Sequence, residues 1–283
     1  MEDKKKLAGK IMVTGAGGFV GSQLMIRLNE LRPLGVTFDP TESSQLVAVD
    51  LREKHHVKAL LNEYKPEVIL HMAALTSPAI NEENRELAEG CNLLITKNLV
   101  ENLPQDCHLI FHSTDKVWTG EHSNPNEETP VNPMGYYAEL KLECEQLIMK
   151  EVEKHHILRL GIIHDTTYKK AISRFAGPGG FVEKALDNLK LGEKVEVFSN
   201  VKRCFTKRSE LVDFHHQLLG NQNYGTYNVG SKMLSYFDRL NQLCDEIGII
   251  DKSNLTSTEG KVNPIEQNLD TSKLEKVFNI KFT

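Results

Sequence analysis

Lys10-Ile11-Met12-Val13-Thr14-Gly15-Ala16-Gly17-Gly18-Phe19-Val20-Gly21 is the stretch on which the fold turns. Its first five residues form a short apolar run with β-branched Ile and Val, the mark of a buried strand. Glycines at 15, 18 and 21 follow in G-x-x-G-x-x-G spacing. The first permits a tight turn, the second lets the backbone approach a phosphate, and the third lets the next helix pack close to the sheet. From Ser22 to Arg32, Leu24, Ile26, Leu28 and Leu31 recur near helical spacing. Strand, glycine turn and helix in that order open a nucleotide-binding βαβ unit, with a dinucleotide pyrophosphate at the helix N-terminus. Gly15, Gly18, Phe19, Val20 and Gly21 are the residues expected to touch it.

Outward from that loop the pattern keeps alternating. Residues 35–39 and 45–50 read as short strands that each end in an acid, 57–64 as a helix, and 67–74 as another buried strand. A long helix is predicted over 84–102, a strand over 108–112, and a loop over 124–133, which holds three prolines. The stretch 136–155, rich in Glu, Lys and Leu, is the strongest helix of the chain, and 157–163 is a strand. Strands alternating with helices predict an α/β fold, a Rossmann-type doubly wound parallel sheet. After about residue 165 the rhythm changes. A glycine-rich break at 177–180 precedes helices near 181–191 and from 210, strands at 194–198 and 225–229, and a final helix near 236–247. The expected organisation is a dinucleotide-binding domain over 1–165 and a smaller C-terminal α/β substrate lobe over 166–283, interleaved with the first.

Composition narrows the class. The 283 residues are enough to bury a large core. With 40% hydrophobic and 26% charged residues and a net charge of −5, the chain lacks the basic surface of a nucleic-acid binder. The polar start leads into no apolar stretch of signal-peptide length, and the apolar-rich run at 68–75 is too short to span a bilayer. Five cysteines, odd in number and without a C-x-x-C pair, predict reduced thiols in a cytoplasmic setting and no structural zinc. The pairs His55-His56, His155-His156 and His215-His216 match no metal-ligand spacing and read as packing or solvent-exposed, so no metal is expected.

Two acids compete for the adenosine. Asp39 lies eighteen residues after Gly21, near the spacing of an acid that binds the ribose hydroxyls. A carboxylate there would repel a 2′-phosphate, and no arginine follows it directly, so NAD(H) is favoured over NADP(H). Asp50 ends the next strand, where an acid contacts adenine. Tyr137 and Lys141 stand four apart near the start of the strongest helix and share one face. A phenol with a pKa near ~10 is a poor acid–base catalyst at neutral pH, and an ammonium beside it lowers that value. The pair gains meaning from Phe111-His112-Ser113-Thr114-Asp115, a hydroxyl-bearing strand end of the kind that places catalytic groups in open α/β sheets.

Together the glycine loop, Asp50-Leu51, His71-Met72-Ala73-Ala74-Leu75-Thr76, Asn92, residues 113–120, Tyr137-Ala138-Glu139-Leu140-Lys141 and Leu158-Arg159 carry a resemblance. In order and spacing they resemble an extended short-chain dehydrogenase/reductase, most of all the dTDP-4-dehydrorhamnose reductase family. Beyond residue 165 the likeness is looser, with Phe205-Thr206, 225–230 and 269–274 the best pieces. The resemblance implies Thr114 as the hydroxyl bonding the reacting oxygen, Tyr137 as proton donor, and Lys141 as the group that tunes the phenol and grips the nicotinamide ribose. It also implies adenine contacts from Asp50 and Leu51, pyrophosphate and ribose contacts from Ala73 and Ala74, and a substrate contact from Thr76. Related 4,6-dehydratases carry an acid directly after Thr-Asp; here Lys116 stands at that substrate-side position, which fits keto reduction better. Ile162 takes the place of an aromatic residue frequent in the family. The basic run from Lys202 to Arg208 either clamps a nucleotide diphosphate, through Arg203, or is a solvated loop.

The expectation that follows is an NAD(P)H-dependent reductase of a keto group on a nucleotide-activated deoxysugar. A nucleotide-sugar is the expected partner, without nucleic acid or membrane, and a homodimer is an open assembly state. Two alternatives stand beside it: an epimerase holding NAD⁺, and a non-catalytic regulatory subunit like the methionine adenosyltransferase beta subunit, which resembles the same family. Trp118 reads as core and Cys144 as a packing thiol.

Overall fold

The computed structural model describes residues 2–39, 45–166, 180–262 and 265–283. Seven parallel strands line up as Gly225–Val229, His155–Leu160, His108–Thr114, Val68–His71, Ile11–Thr14, Leu34–Thr37 and Leu46–Ala48. The chain enters mid-sheet at Ile11–Thr14, builds outward on one side, then crosses to Val68–His71 on the other. That reversal opens a crevice beyond the carboxyl ends of these two strands, where open α/β sheets bind ligands. Every residue of Ile11–Thr14, Val68–His71 and His108–Thr114 is buried, as the continuous apolar runs require of strands covered on both faces.

One face is covered by the helices Gly21–Arg27, Arg208–Leu218 and Ser272–Phe278, which bring Leu24, Phe214, Leu218, Leu274 and Phe278 into one core. The other is covered by Lys54–Tyr64, Ile95–Glu101 and Tyr136–Glu151, through Val57, Leu61, Leu99, Leu140 and Ile148. A third core joins the helices Phe181–Lys190 and Tyr236–Ile247 to the paired strands Val195–Phe198 and Leu255–Thr258. Residues beyond 165 therefore enter both the smaller lobe and the main sheet, whose edge strand is Gly225–Val229.

The structure departs from the sequence reading at several places. The single helix expected over 84–102 is Arg85–Ala88, a π-helical Glu89–Leu94 and Ile95–Glu101 in succession. In that π-helical stretch the buried Asn92 accepts from the Leu75 N–H at 2.9 Å and donates to Asn81 Oδ1 at 2.8 Å. The strand expected over 157–163 breaks at Gly161, where an added Cβ would overlap the Cys204 carbonyl. His155–Leu160 stays in the main sheet, while Ile162–His164 pairs with Phe205–Lys207. The strongest helix stops at Glu151, and His155 already belongs to the next strand. Ser272–Phe278 follows the helix expected to be last. The predicted break at 177–180 lies, apart from Gly180, outside the described residues.

One buried contact sets the Tyr136–Glu151 helix against the sheet. Glu145, fully buried, faces Arg159 on the adjacent strand, with Nη2–Oε2 at 2.7 Å and Nε within 3.1 Å of both oxygens. Ser113 Oγ donates to the same carboxylate, and the Arg159 guanidinium lies 4.7 Å from the Trp118 ring centre. Trp118 is thus core, 1% exposed. Removing one partner of a buried pair strands the other charge in low dielectric. Glu145→Leu is expected to lower stability by about 3–5 kcal/mol in urea unfolding. A loss below about 1 kcal/mol, the range of exposed pairs, would remove this contact from the account.

Candidate active site

The glycine turn and the loops after the neighbouring strands enclose a cavity of about 560 Å³. Gly15 has φ +68, and a Cβ there would lie 2.9 Å from the Ala73 nitrogen, so the turn requires glycine. A Cβ at Gly21 would overlap the Gly15 carbonyl oxygen, while at Gly18 only that oxygen, at 3.0 Å, lies within 4 Å. The second glycine therefore leaves its backbone open to a ligand. Thr14 Oγ1 accepts from the Met72 and Ala73 N–H groups, both at 3.2 Å, and donates to His71 Nδ1 at 2.7 Å. His71 Nε2 reaches Thr96 Oγ1 at 3.0 Å, and burial drives this imidazole down to a pKa of about 3. Asn98 Nδ2 donates to the Leu51 and Arg52 carbonyls at 3.0 and 2.8 Å, so the helical run fixes the Asp50–Arg52 loop as well.

Tyr137 and Lys141 line one end of the cavity. Lys141 is 2% exposed, with Nζ 4.1 Å from the Phe111 ring centre, and burial lowers its pKa to about 8. Among the described residues neither side chain has a hydrogen-bond partner. The expected lowering of the Tyr137 pKa by Lys141 is overturned: burial first, then the Asp115 charge, push the phenol above its usual value. The phenol is held protonated, as a proton donor should be. Thr114 ends the His108–Thr114 strand beside them; its Oγ1 donates to the Asp115 carboxylate at 3.3 Å and accepts from the Lys116 N–H at 3.2 Å.

Most of the sequence-derived site residues meet on this one surface. Gly15, Gly18, Phe19, Val20, Gly21, Asp50, Leu51, Ala73, Ala74, Thr76, Thr114, Lys116, Tyr137, Lys141 and Ile162 all line the cavity. Asp39 does not: the strand ends at Thr37, and Thr37 and Phe38 take the wall, leaving Asp39 past its rim. The acid at that end is Asp50, bonded to Arg52 through Nε–Oδ1 at 2.9 Å and Nη2–Oδ2 at 2.6 Å. This bonding holds the Asp50 carboxyl below the usual carboxylate range, and Arg52 also lies 5.1 Å from the Phe38 ring centre. Arg203 is off the wall too, its Nη1 donating to the Lys202 and Ile265 carbonyls at 2.7 and 3.0 Å.

Three wall or near-wall groups lie in stretches that the sequence singled out but were not assigned to the site. Asp115 is a buried carboxyl pushed up to about 6 by desolvation, a neighbour the hydroxyl-bearing strand end already signalled. Arg208 is buried where the Arg208–Leu218 helix begins; it pairs with Asp165 and donates to the Phe19 carbonyl at 2.9 Å, tying the glycine loop to the later chain. His112 lines the cavity beneath Thr114. The basic run marked Arg208 and the strand end marked His112, but neither pattern told of these contacts. Cys144 is a buried thiol whose pKa burial raises, in keeping with packing. His55 and His56 are exposed, whereas His156 and His215 are buried. Among the described residues no group of His, Cys, Asp and Glu is placed to hold a metal, and no helix is long and apolar enough to cross a membrane.

Lys141 makes the site costly to the fold. Its folded pKa of about 8 lies below the ordinary 10.5, so below pH 8 both states carry the proton and the full penalty applies. As pH rises from 8 toward 10.5 the folded state sheds its proton first and stability recovers. Lys141→Met should therefore stabilise the chain at pH 7 by on the order of 3 kcal/mol, a gap that shrinks above pH 8. Paired urea titrations at pH 7 and 10 check this, and a pH-independent gap would contradict it.

Comparison with known proteins places this geometry. The family described as the RmlD substrate binding domain matches residues 9–283. Methionine adenosyltransferase 2 subunit beta of Xenopus tropicalis is 28% identical over 173 residues, 60% of this chain and 52% of that protein. The chain thus spans about half the length of that relative. A probable low-salt glycan biosynthesis reductase, Agl14, of Haloferax volcanii is 26% identical over 275 residues, covering 93% of this chain and 90% of its own. The crystal structure of dTDP-4-dehydrorhamnose reductase from Bacillus anthracis in complex with NADP superposes with a TM-score of 0.81 at 21% identity, covering 96% and 94% of the two chains. Matched over nearly its whole length, the chain belongs to the RmlD substrate binding domain family, within the extended short-chain dehydrogenase/reductases.

Proposed function

We propose that the chain reduces a keto group on a nucleotide-activated deoxysugar with NAD(P)H. The observation that carries this reading is the placement of the half-buried Tyr137 and the buried Lys141, without hydrogen-bond partners among the described residues, in the wall of the cavity that the glycine turn also lines. The residues fit a dinucleotide: the open side of Gly18 and Ala73-Ala74 accept the pyrophosphate, and Asp50 and Leu51 the adenosine. When bound, the nicotinamide supplies the hydride. Tyr137 gives its proton to the carbonyl oxygen, Thr114 Oγ1 orients that oxygen, and Lys141 offsets the charge on the phenolate while holding ribose hydroxyls. Thr76, Lys116 and Ile162 face the sugar. Lys116 offers no acid for expelling water. Five free thiols agree with a cytoplasmic setting.

NADH is the proposed cofactor, on the strength of Asp50 in place of Asp39. The Asp50 carboxylate lies on the adenosine wall, and the Arg52 guanidinium is already committed to it. A 2′-phosphate would meet a negative charge there. A second reading, a regulatory subunit, is favoured by the identity with methionine adenosyltransferase 2 subunit beta. Co-purification with a larger enzyme, without NADH oxidation on any keto-sugar nucleotide, would establish that reading instead.

Following NADH and NADPH oxidation against a panel of 4-keto sugar nucleotides tests the proposal. Tyr137→Phe should lower kcat by about 10²-fold or more, with the dinucleotide Kd within about twofold of wild type. Wild-type turnover in that variant would sink the mechanism. Asp50→Asn should narrow the preference for NADH; an unchanged ratio of the two cofactors' kcat/KM would remove Asp50 as its source.

A further inference from the structure

We infer that His112 is a cofactor contact whose Nδ1 accepts a hydrogen bond from a neutral donor on the nicotinamide half of the dinucleotide, in a tautomer that His215 fixes. This rests on the dinucleotide reading above. His112 lies two residues before Thr114 on one strand, so the two side chains share a face of the sheet, and both line the cavity. His112 Nε2 lies 2.7 Å from His215 Nε2, and His215 Nδ1 lies 2.7 Å from the Leu211 carbonyl oxygen.

These contacts leave one proton arrangement. A carbonyl only accepts, so His215 Nδ1 carries the hydrogen. Burial holds His215 at a pKa of about 4 and His112 well below its usual value, with Lys141 and His71 as the further charged or titratable neighbours of His112, so both rings are neutral. A neutral imidazole has one N–H; His215 Nε2 is therefore bare, and His112 Nε2–H donates to it. His112 Nδ1 is left as a lone pair. Among the described residues it has no partner, and it is not one of the buried unpartnered atoms sealed from solvent. An oriented acceptor beside Lys141 calls for a donor that the described residues do not supply. The nicotinamide half offers two kinds, the carboxamide amino group and the ribose hydroxyls.

Fluorescence titration of the full chain with NADH tests the inference, alongside thermal melts that confirm folding. His112→Phe keeps a ring of similar size without the acceptor and should weaken Kd about tenfold, one neutral hydrogen bond. His112→Asn returns an acceptor oxygen near the Nδ1 position and should restore most of the affinity. The 3-acetylpyridine analogue of NADH lacks the amide N–H. A His112→Phe penalty that vanishes with this analogue assigns the carboxamide, and one that persists assigns the ribose. If His112→Phe binds NADH within twofold of wild type, or if His112→Asn is as weak as His112→Phe, the pair is packing and the inference fails. If the wild-type chain itself binds no dinucleotide, the functional reading above fails first.

Discussion

Everything chemical in this molecule depends on how the Tyr136–Glu151 helix is set against the sheet, and the Glu145–Arg159 pair does the setting. Tyr137, Lys141 and Glu145 follow one another at intervals of four and so lie along one helix face. Glu145 reaches Arg159 on one strand and Ser113 on the next, immediately before Thr114. A rotation of the helix that moved Tyr137 away from Thr114 would also break this buried pair, whose loss costs several kcal/mol. Buried ion pairs are weak sources of net stability, because desolvation consumes most of the Coulomb gain. Here the return is orientation: the phenol and the strand-end hydroxyl are fixed to a common anchor.

The same economy governs the two titratable groups of the proposed site. Among the described residues Lys141 has no carboxylate paired with it, and burial depresses its pKa. Tyr137 is pushed the other way, toward the protonated form. Groups with opposing shifts, one turn apart on a helix and without hydrogen-bond partners among the described residues, are the pattern that physical chemistry associates with ligand sites. A relative named as a probable reductase and relatives named as methionine adenosyltransferase 2 subunit beta are both similar to this chain, as one fold hosting several functions permits. The features that argue for chemistry are local: a protonated phenol, a buried ammonium and a hydroxyl at a strand end.

The sequence made legible what depends on short spacing. The glycine turn, the Tyr-x-x-x-Lys pair and the order of strands and helices are set by neighbours a few residues apart, and the structure has them all. Two expected site residues, Asp39 and Arg203, lie off the cavity wall. Asp39 satisfied the spacing of a ribose-binding acid, but the strand ended two residues short of it and gave the wall to Thr37 and Phe38. Arg203 had the right charge, yet backbone carbonyls of the small sheet captured it. Gly161 gave no sign that it separates two sheets, since the constraint is the Cys204 carbonyl some forty residues away. Glu145–Arg159, His112–His215 and Arg208–Phe19 are likewise invisible until the chain is folded, because each joins elements far apart in sequence.

The central claim is that this cavity transfers a hydride. A single-turnover reaction of the chain with NADH deuterated at C4, on the transferred face, and a 4-keto deoxysugar nucleotide tests it most directly. The account predicts deuterium on the new carbinol carbon of the sugar and one equivalent of oxidised cofactor. Bound cofactor that keeps its deuterium while the carbonyl stays intact would contradict it.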